Sequence, residues 1–170
     1  MSTDRPVAVL TRSERETRAL GALLASVLEP GDVVLLTGEL GSGKTTLTKG
    51  IVAGLGGTEE VTSPTFTIVH CYATDPVVAH VDTWRLAGTG EVAELALEEV
   101  LEDGGVAVVE WGELAEPLFG ADALLVRLGH ADERGGSGRV VELTAPSERW
   151  EARARRVGAD ARRAGLEVRG

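Results

Sequence analysis

The sequence predicts an α/β fold in three layers: a mostly parallel central sheet with an antiparallel portion, and helices on both faces. Two observations carry this. Short apolar runs alternate with stretches of helical periodicity along most of the 170 residues, the pattern of strands joined by crossover helices. The runs Val33–Thr37 and Val106–Val109 are apolar almost throughout, as strands buried on both faces are. A chain of this length can bury roughly 70% of its unfolded surface, enough for one such domain.

The elements follow in order. Val7–Leu10 is a short strand. Ser13 to Glu16 forms a capping box, in which Ser13 accepts from the Glu16 amide and Glu16 reaches back. Leu20, Leu23, Leu24, Val27 and Leu28 then recur at helical spacing, so a helix runs to about Leu28 and stops at Pro30-Gly31-Asp32. After the Val33–Thr37 strand come a Gly-rich turn and a helix to about Leu55. Thr65–Tyr72 and Val77–Val81 read as strands joined by a turn at Thr74-Asp75-Pro76. Glu91–Leu101 is a helix with Val92, Leu95 and Val100 on one face. Val106–Val109 is a buried strand, and Ala123–Leu128 with Arg139–Leu143 forms a hairpin. Residues 1–146 make the main domain. Residues 147–170 make an Arg-rich extension, helical or partly disordered, whose Ser147 caps a final helix of low apolar content read as solvated rather than as an RNA or partner contact.

Composition excludes several classes. The net charge of −10 argues against broad electrostatic binding of nucleic acid, although the segment from Ser147 on carries seven arginines against four acids. No apolar run approaches the ~18 residues of a membrane span, and the N-terminal stretch turns charged too early for a signal peptide. The single cysteine, Cys71, excludes an internal disulfide and fits a reducing, cytoplasmic setting.

Gly38-Glu39-Leu40-Gly41-Ser42-Gly43-Lys44-Thr45 matches G-x-x-x-x-G-K-[ST] at every fixed position, between a strand and a helix. A polyphosphate needs several converging backbone N–H donors, and only a loop tolerant of unusual dihedrals can supply them. The following helix adds its positive end. Lys44 can reach the β- and γ-phosphates, and Thr45 can ligate Mg²⁺. The expected fold is therefore of the P-loop NTPase type, and the expected cofactors are ATP or ADP with Mg²⁺.

Phosphoryl chemistry also calls for acids beyond the carboxyl ends of the strands. Asp82 and Glu110 occupy two such ends. Either could hold Mg²⁺ directly or through water while the other positions the attacking water. The hydroxyl-rich loop Thr62–Thr67 lies where such proteins sense the γ-phosphate, or it is simply a strand-entry turn. Trp84 and Trp111 read as packing residues, and His80 as support for a strand end rather than a base.

Taken together, G-E-L-G-S-G-K-T-T at Gly38–Thr46, S-P-T-F-T at Ser63–Thr67, H-V-D-T-W-R-L at His80–Leu86 and V-E-W at Val109–Trp111 resemble the TsaE (YjeE) family, P-loop ATPases of bacterial tRNA threonylcarbamoyladenosine synthesis. The resemblance spans roughly Ser13 to Ala145. It implies that Thr45 and Glu110 are the Mg²⁺ ligands, that Asp82 is a second essential acid, and that Thr65 is a switch-loop residue facing the γ-phosphate. Lys44, Asp82, Glu110 and Thr65 are thus the expected catalytic residues. Glu39, Leu40, Gly41, Ser42, Gly43, Lys44, Thr45 and Thr46 are the expected nucleotide-binding loop, joined from outside it by Thr11, Ser13, Glu14 and Arg139. The implied partners are a TsaD-type transferase subunit and a TsaB-type subunit, with tRNA reached indirectly. Trp84 and Phe66 stand where the family usually has tyrosine.

Two rivals share the phosphate loop. A small-molecule kinase needs an acceptor pocket and an Arg-bearing lid, whereas the arginine clusters here trail at the C-terminus. A nucleotide-gated adaptor would need binding but not hydrolysis. A GTPase reading fails because its guanine-reading Asn-Lys-x-Asp motif needs asparagine, and the chain has none.

Overall fold

The computed structural model describes residues 5–64, 66–132 and 136–170; the expected switch-loop residue Thr65 lies outside them. Strand β1 (Val7–Thr11) leads into helix α1 (Glu14–Ala25). Ser13 Oγ accepts from the Glu16 amide at 3.1 Å, the first half of the expected capping box. The second half falls one residue early, since the Glu16 carboxylate accepts from the Arg12 N–H at 2.7 Å. The helix ends three residues short of Leu28, because the Val27 and Leu28 amides fold back onto the Leu24 and Ala25 carbonyls in a tighter turn.

Strand β2 (Val33–Thr37) and helix α2 (Lys44–Gly54) follow as expected. Strand β3 (Val69–Tyr72) starts later than its apolar run suggests. The Ile68 N–H bonds the Pro64 carbonyl at 2.8 Å, and Ile68 takes φ +66°, so the entry is a turn rather than extended chain. Strand β4 (Val78–Asp82) follows.

The single helix expected over Glu91–Leu101 is two short helices, α3 (Thr89–Ala93) and α4 (Leu97–Glu102). Ala96 between them sits at φ +54°. In one continuous helix Val92 and Leu97 would point about 140° apart. The break lets both be 1% exposed.

Strand β5 (Val106–Glu110), helix α5 (Glu116–Phe119), strands β6 (Leu124–His130) and β7 (Arg139–Thr144), helix α6 (Glu148–Arg163) and strand β8 (Glu167–Arg169) complete the chain. Among the described residues, eight strands form one sheet in the order β3-β4-β5-β2-β6-β7-β1-β8. Three pairings are parallel, β4–β5, β5–β2 and β2–β6. Four are antiparallel, β3–β4, β6–β7, β7–β1 and β1–β8. The sheet is thus evenly mixed rather than mostly parallel: β3–β4 and β6–β7 are hairpins on either side of the parallel centre, and β1 runs antiparallel to both β7 and β8, which α6 connects.

Side-chain alternation divides the core in two. Val34, Leu36, Val78, Val106 and Val108 pack with α1, α2 and α6 on one face. Val33, Leu35, Ala79, Val81, Ala107 and Val109 pack under α3 and α4 on the other. The solvated helix expected after residue 146 is instead anchored. Trp150, Ala154, Val157 and Ala161 recur along one side of α6 and are all buried, Trp150 completely. Three of these four are small, so the stripe reads as low apolar content. The sheet also crosses the 146/147 boundary, because β8 pairs with β1.

Candidate functional site

The alternation that sorts the core also builds the site. In the parallel ladder of β4 and β5, Asp82 stands opposite Glu110, each at its strand's carboxyl end. Both share the parity of Val78, Val106 and Val108, so they point to the face carrying α2. That helix opens with Lys44 and Thr45, directly after the loop from Gly38. Gly38 takes φ +143°, and a Cβ there would lie 2.4 Å from the Leu128 carbonyl oxygen. Gly43, at φ +103°, makes the left-handed step into the helix.

A cleft of about 440 Å³ opens between these parts. Leu40, Gly41, Ser42, Gly43, Lys44, Thr45 and Thr46 line it, together with Asp82, Glu110, Glu14 and Arg139. The Lys44 ammonium donates to the carbonyls of Gly38 and Glu39 at 2.7 and 3.0 Å. It also lies 3.8 Å from the centre of the Trp111 ring. Burial pushes Lys44 below its ordinary 10.5, against the opposing pull of Glu110, Glu113 and Asp82. Trp111 takes φ +57°, costly for a bulky residue, and the Thr83 hydroxyl pins that turn by donating to the Glu110 and Trp111 carbonyls.

The two acids are held differently. The Thr45 hydroxyl donates to Glu110 Oε1 at 2.8 Å, and His80 Nε2 meets Glu110 Oε2 at 2.5 Å. Asp82 accepts from the Ser63 hydroxyl at 2.7 Å and from the Trp84 amide at 2.9 Å. Asp82 therefore ties the Ser63 loop to the sheet, while Glu110 ties α2 to it.

Other expected residues fall less centrally. Arg139 spans the loop, donating to the Gly41 carbonyl at 2.9 Å. Glu39 lies on the far side of the loop, beside Arg127–Asp132. Thr11 is buried against the Thr17 hydroxyl at 2.7 Å, and it is Thr17 that reaches the cleft wall. Ser13 caps α1, leaving Glu14 to face the cleft.

Thr17, Ser63, Trp84, Trp111 and Ser137 also line the cleft. For Thr17 the signal was present, because it follows Glu14 by three residues on one helix. The tryptophans read from sequence as packing residues, yet Trp84 is 59% exposed and lies tilted against Trp111, with ring centres 4.5 Å apart and ring planes 44° apart.

Chemically, the loop amides and Lys44 suit an anion at the start of α2. Thr45 and Glu110 offer the hard oxygen donors that Mg²⁺ takes alongside waters and phosphate. Among the described residues, no helix is long and apolar enough to cross a membrane.

Comparison with known proteins converges on one family. A family model described as "Threonylcarbamoyl adenosine biosynthesis protein TsaE" matches residues 11–139. The chain is 44% identical over 138 residues to a tRNA threonylcarbamoyladenosine biosynthesis protein TsaE of Streptomyces coelicolor, covering 78% of this chain and 93% of that one. It is 40% identical over 143 residues to the Bacillus subtilis TsaE, covering 83% and 87%. The crystal structure of Bacillus subtilis YdiB superposes with a TM-score of 0.78 at 32% identity, covering 94% of this chain and 99% of that one. On the strength of these matches, the chain belongs to the TsaE family.

Proposed function

We propose that this chain is a Mg²⁺-dependent ATPase of the P-loop type that supports the addition of threonylcarbamoyl to adenosine in tRNA. It acts with a TsaD-type transferase subunit and a TsaB-type partner, and reaches tRNA through them. The observation that carries this reading is the meeting of Lys44 and Thr45, at the start of α2, with Glu110 and Asp82 at adjacent strand ends. The family assignment supplies the pathway.

In this reading the loop amides and Lys44 bind the β- and γ-phosphates. Lys44 exchanges two carbonyl partners for phosphate oxygens, which favours its charged form. Thr45 and Glu110 hold Mg²⁺, which when bound neutralises charge developing on the phosphates. Asp82 orients the attacking water, and its bond to Ser63 links that task to the loop ahead of β3. Adenine is the expected base, because the chain has no asparagine for a guanine-reading motif. It also has no glutamine to orient water, so turnover by the isolated protein is slow and rises when the partner subunits complete the site.

Two measurements test this. ATP or ADP with Mg²⁺ raises the melting temperature of the wild type and not of Lys44→Ala; equal stabilisation by GDP overturns the adenine preference. Steady-state phosphate release is slow alone and rises by ~10³-fold or more with both subunits. Fast turnover unchanged by the subunits refutes the partner dependence.

A further inference from the structure

His80 is completely buried in the middle of β4, among valines and beside Tyr72. A polar ring in such a place is expensive unless it is hydrogen-bonded. Among the described residues its one hydrogen-bond partner is Glu110, and its other ring nitrogen, Nδ1, has none. A carboxylate only accepts, so Nε2 carries the hydrogen. The ring therefore does one thing: it holds one oxygen of Glu110. The remaining oxygen is the one that meets the Thr45 hydroxyl.

We propose that His80 is a positioning residue that orients Glu110 for the metal. This rests on the reading of Thr45 and Glu110 as the Mg²⁺ ligands. His80 lies two residues before Asp82 on the same side of the strand, one layer deeper than either acid, and does not line the cleft. It acts through Glu110 and touches neither nucleotide nor metal. Without it, the Glu110 side chain has several rotamers and no donor on its inner oxygen. The metal must then meet the cost of fixing the carboxylate. Residues that orient a ligating group in this way are typically worth 10- to 100-fold in metal affinity.

The test is calorimetric titration of ADP at a series of Mg²⁺ concentrations and in EDTA, with no turnover involved. In His80→Phe the Mg²⁺ concentration that gives half the gain in ADP affinity rises by about 10-fold or more. ADP affinity in EDTA stays within about twofold, because the phosphate loop is untouched. His80→Gln places an amide donor near the Nε2 position and restores the wild-type midpoint. His80→Asn is polar but too short to reach Glu110, and shifts like His80→Phe; it serves if the phenylalanine variant does not fold. Equal loss of ADP affinity with and without Mg²⁺ overturns the proposal in favour of a merely structural histidine, as does a wild-type midpoint in both shortened and apolar variants. If the wild type itself shows no Mg²⁺ dependence, the metal reading of Thr45 and Glu110 fails instead, which separates the two ideas.

Discussion

Two buried acids sit on opposite sides of this molecule's chemistry. Asp32, at the foot of β2, is 1% exposed, and Glu110, at the head of β5, is 3% exposed. Asp32 is saturated with cations. Its two oxygens take the Arg149 and Arg153 guanidinium groups at 2.8 and 2.7 Å, and the Glu29 amide adds a third bond at 2.7 Å. Both arginines flank the Trp150 ring, whose N–H donates to the Asp122 carbonyl at 3.0 Å. Glu110 is bound by a hydroxyl and an imidazole. Among the described residues, neither it nor Asp82 pairs with a lysine or arginine, although Lys44 is close enough for their charges to raise its affinity for its proton. The closed cluster joins α6 to the domain. The open one keeps carboxylate oxygens beside a cleft, where an external cation can use them. Burial alone does not mark a functional acid; what distinguishes the two is whether the protein has already satisfied the charge.

This contrast predicts that changes around Asp32 act on stability and changes around Glu110 act on binding. The largest effect belongs to Trp150→Ala, which empties a completely buried site and costs about 3–5 kcal/mol in urea unfolding. Nucleotide affinity of the folded fraction stays within about twofold. A loss below about 1 kcal/mol would mean that α6 is dispensable to the core.

Asp32→Ala comes next. It leaves two arginines facing a pocket without its acid and costs about 3 kcal/mol, toward the low end for a broken buried pair because Arg149 keeps Asp122 and partial contact with water. Unchanged melting would show the clamp to be ornamental.

Glu110→Gln reverses the pattern. Glutamine keeps the shape and can still bond Thr45 and His80, so stability moves by less than about 1 kcal/mol. The gain in ADP affinity on adding Mg²⁺ falls by at least ~100-fold, the upper range for groups that merely support a ligand. A large stability loss with intact Mg²⁺ dependence would dissolve the distinction between the two acids.

The smallest effect is expected at Phe66, which is 86% exposed and touched by the Arg85 guanidinium at 4.7 Å. Phe66→Ser shifts unfolding by no more than about 0.5 kcal/mol.

The open cluster was legible in the sequence and the closed one was not. Lys44 and Thr45 are named by eight consecutive residues, and Asp82 and Glu110 each end an apolar run. Asp32 read only as part of the Pro30-Gly31-Asp32 helix stop, because its partners lie 117 and 121 residues away. The arginines that reach it were read as a solvated face, since a helix with one tryptophan, one valine and several alanines inside shows little apolar periodicity. The same weakness of local signal hid the break at Ala96, where burying both Val92 and Leu97 outweighed continuous helix.

By itself the sequence determined the glycine-rich loop between β2 and α2, the capped first helix, the central strands and the order of the family motifs. Each of these is set by neighbours within about one element, through dihedral freedom, capping and periodicity. Tertiary structure alone decided that β8 closes the sheet edge beside β1 and that Trp111 covers Lys44. It alone decided which acid received cations and which received His80 and Thr45, from 30 and 65 residues away. Those outcomes depend on strand register and on which faces meet. A one-residue slip in β4 or β5 would send His80, Asp82 or Glu110 to the other side of the sheet, and no local pattern specifies that pairing.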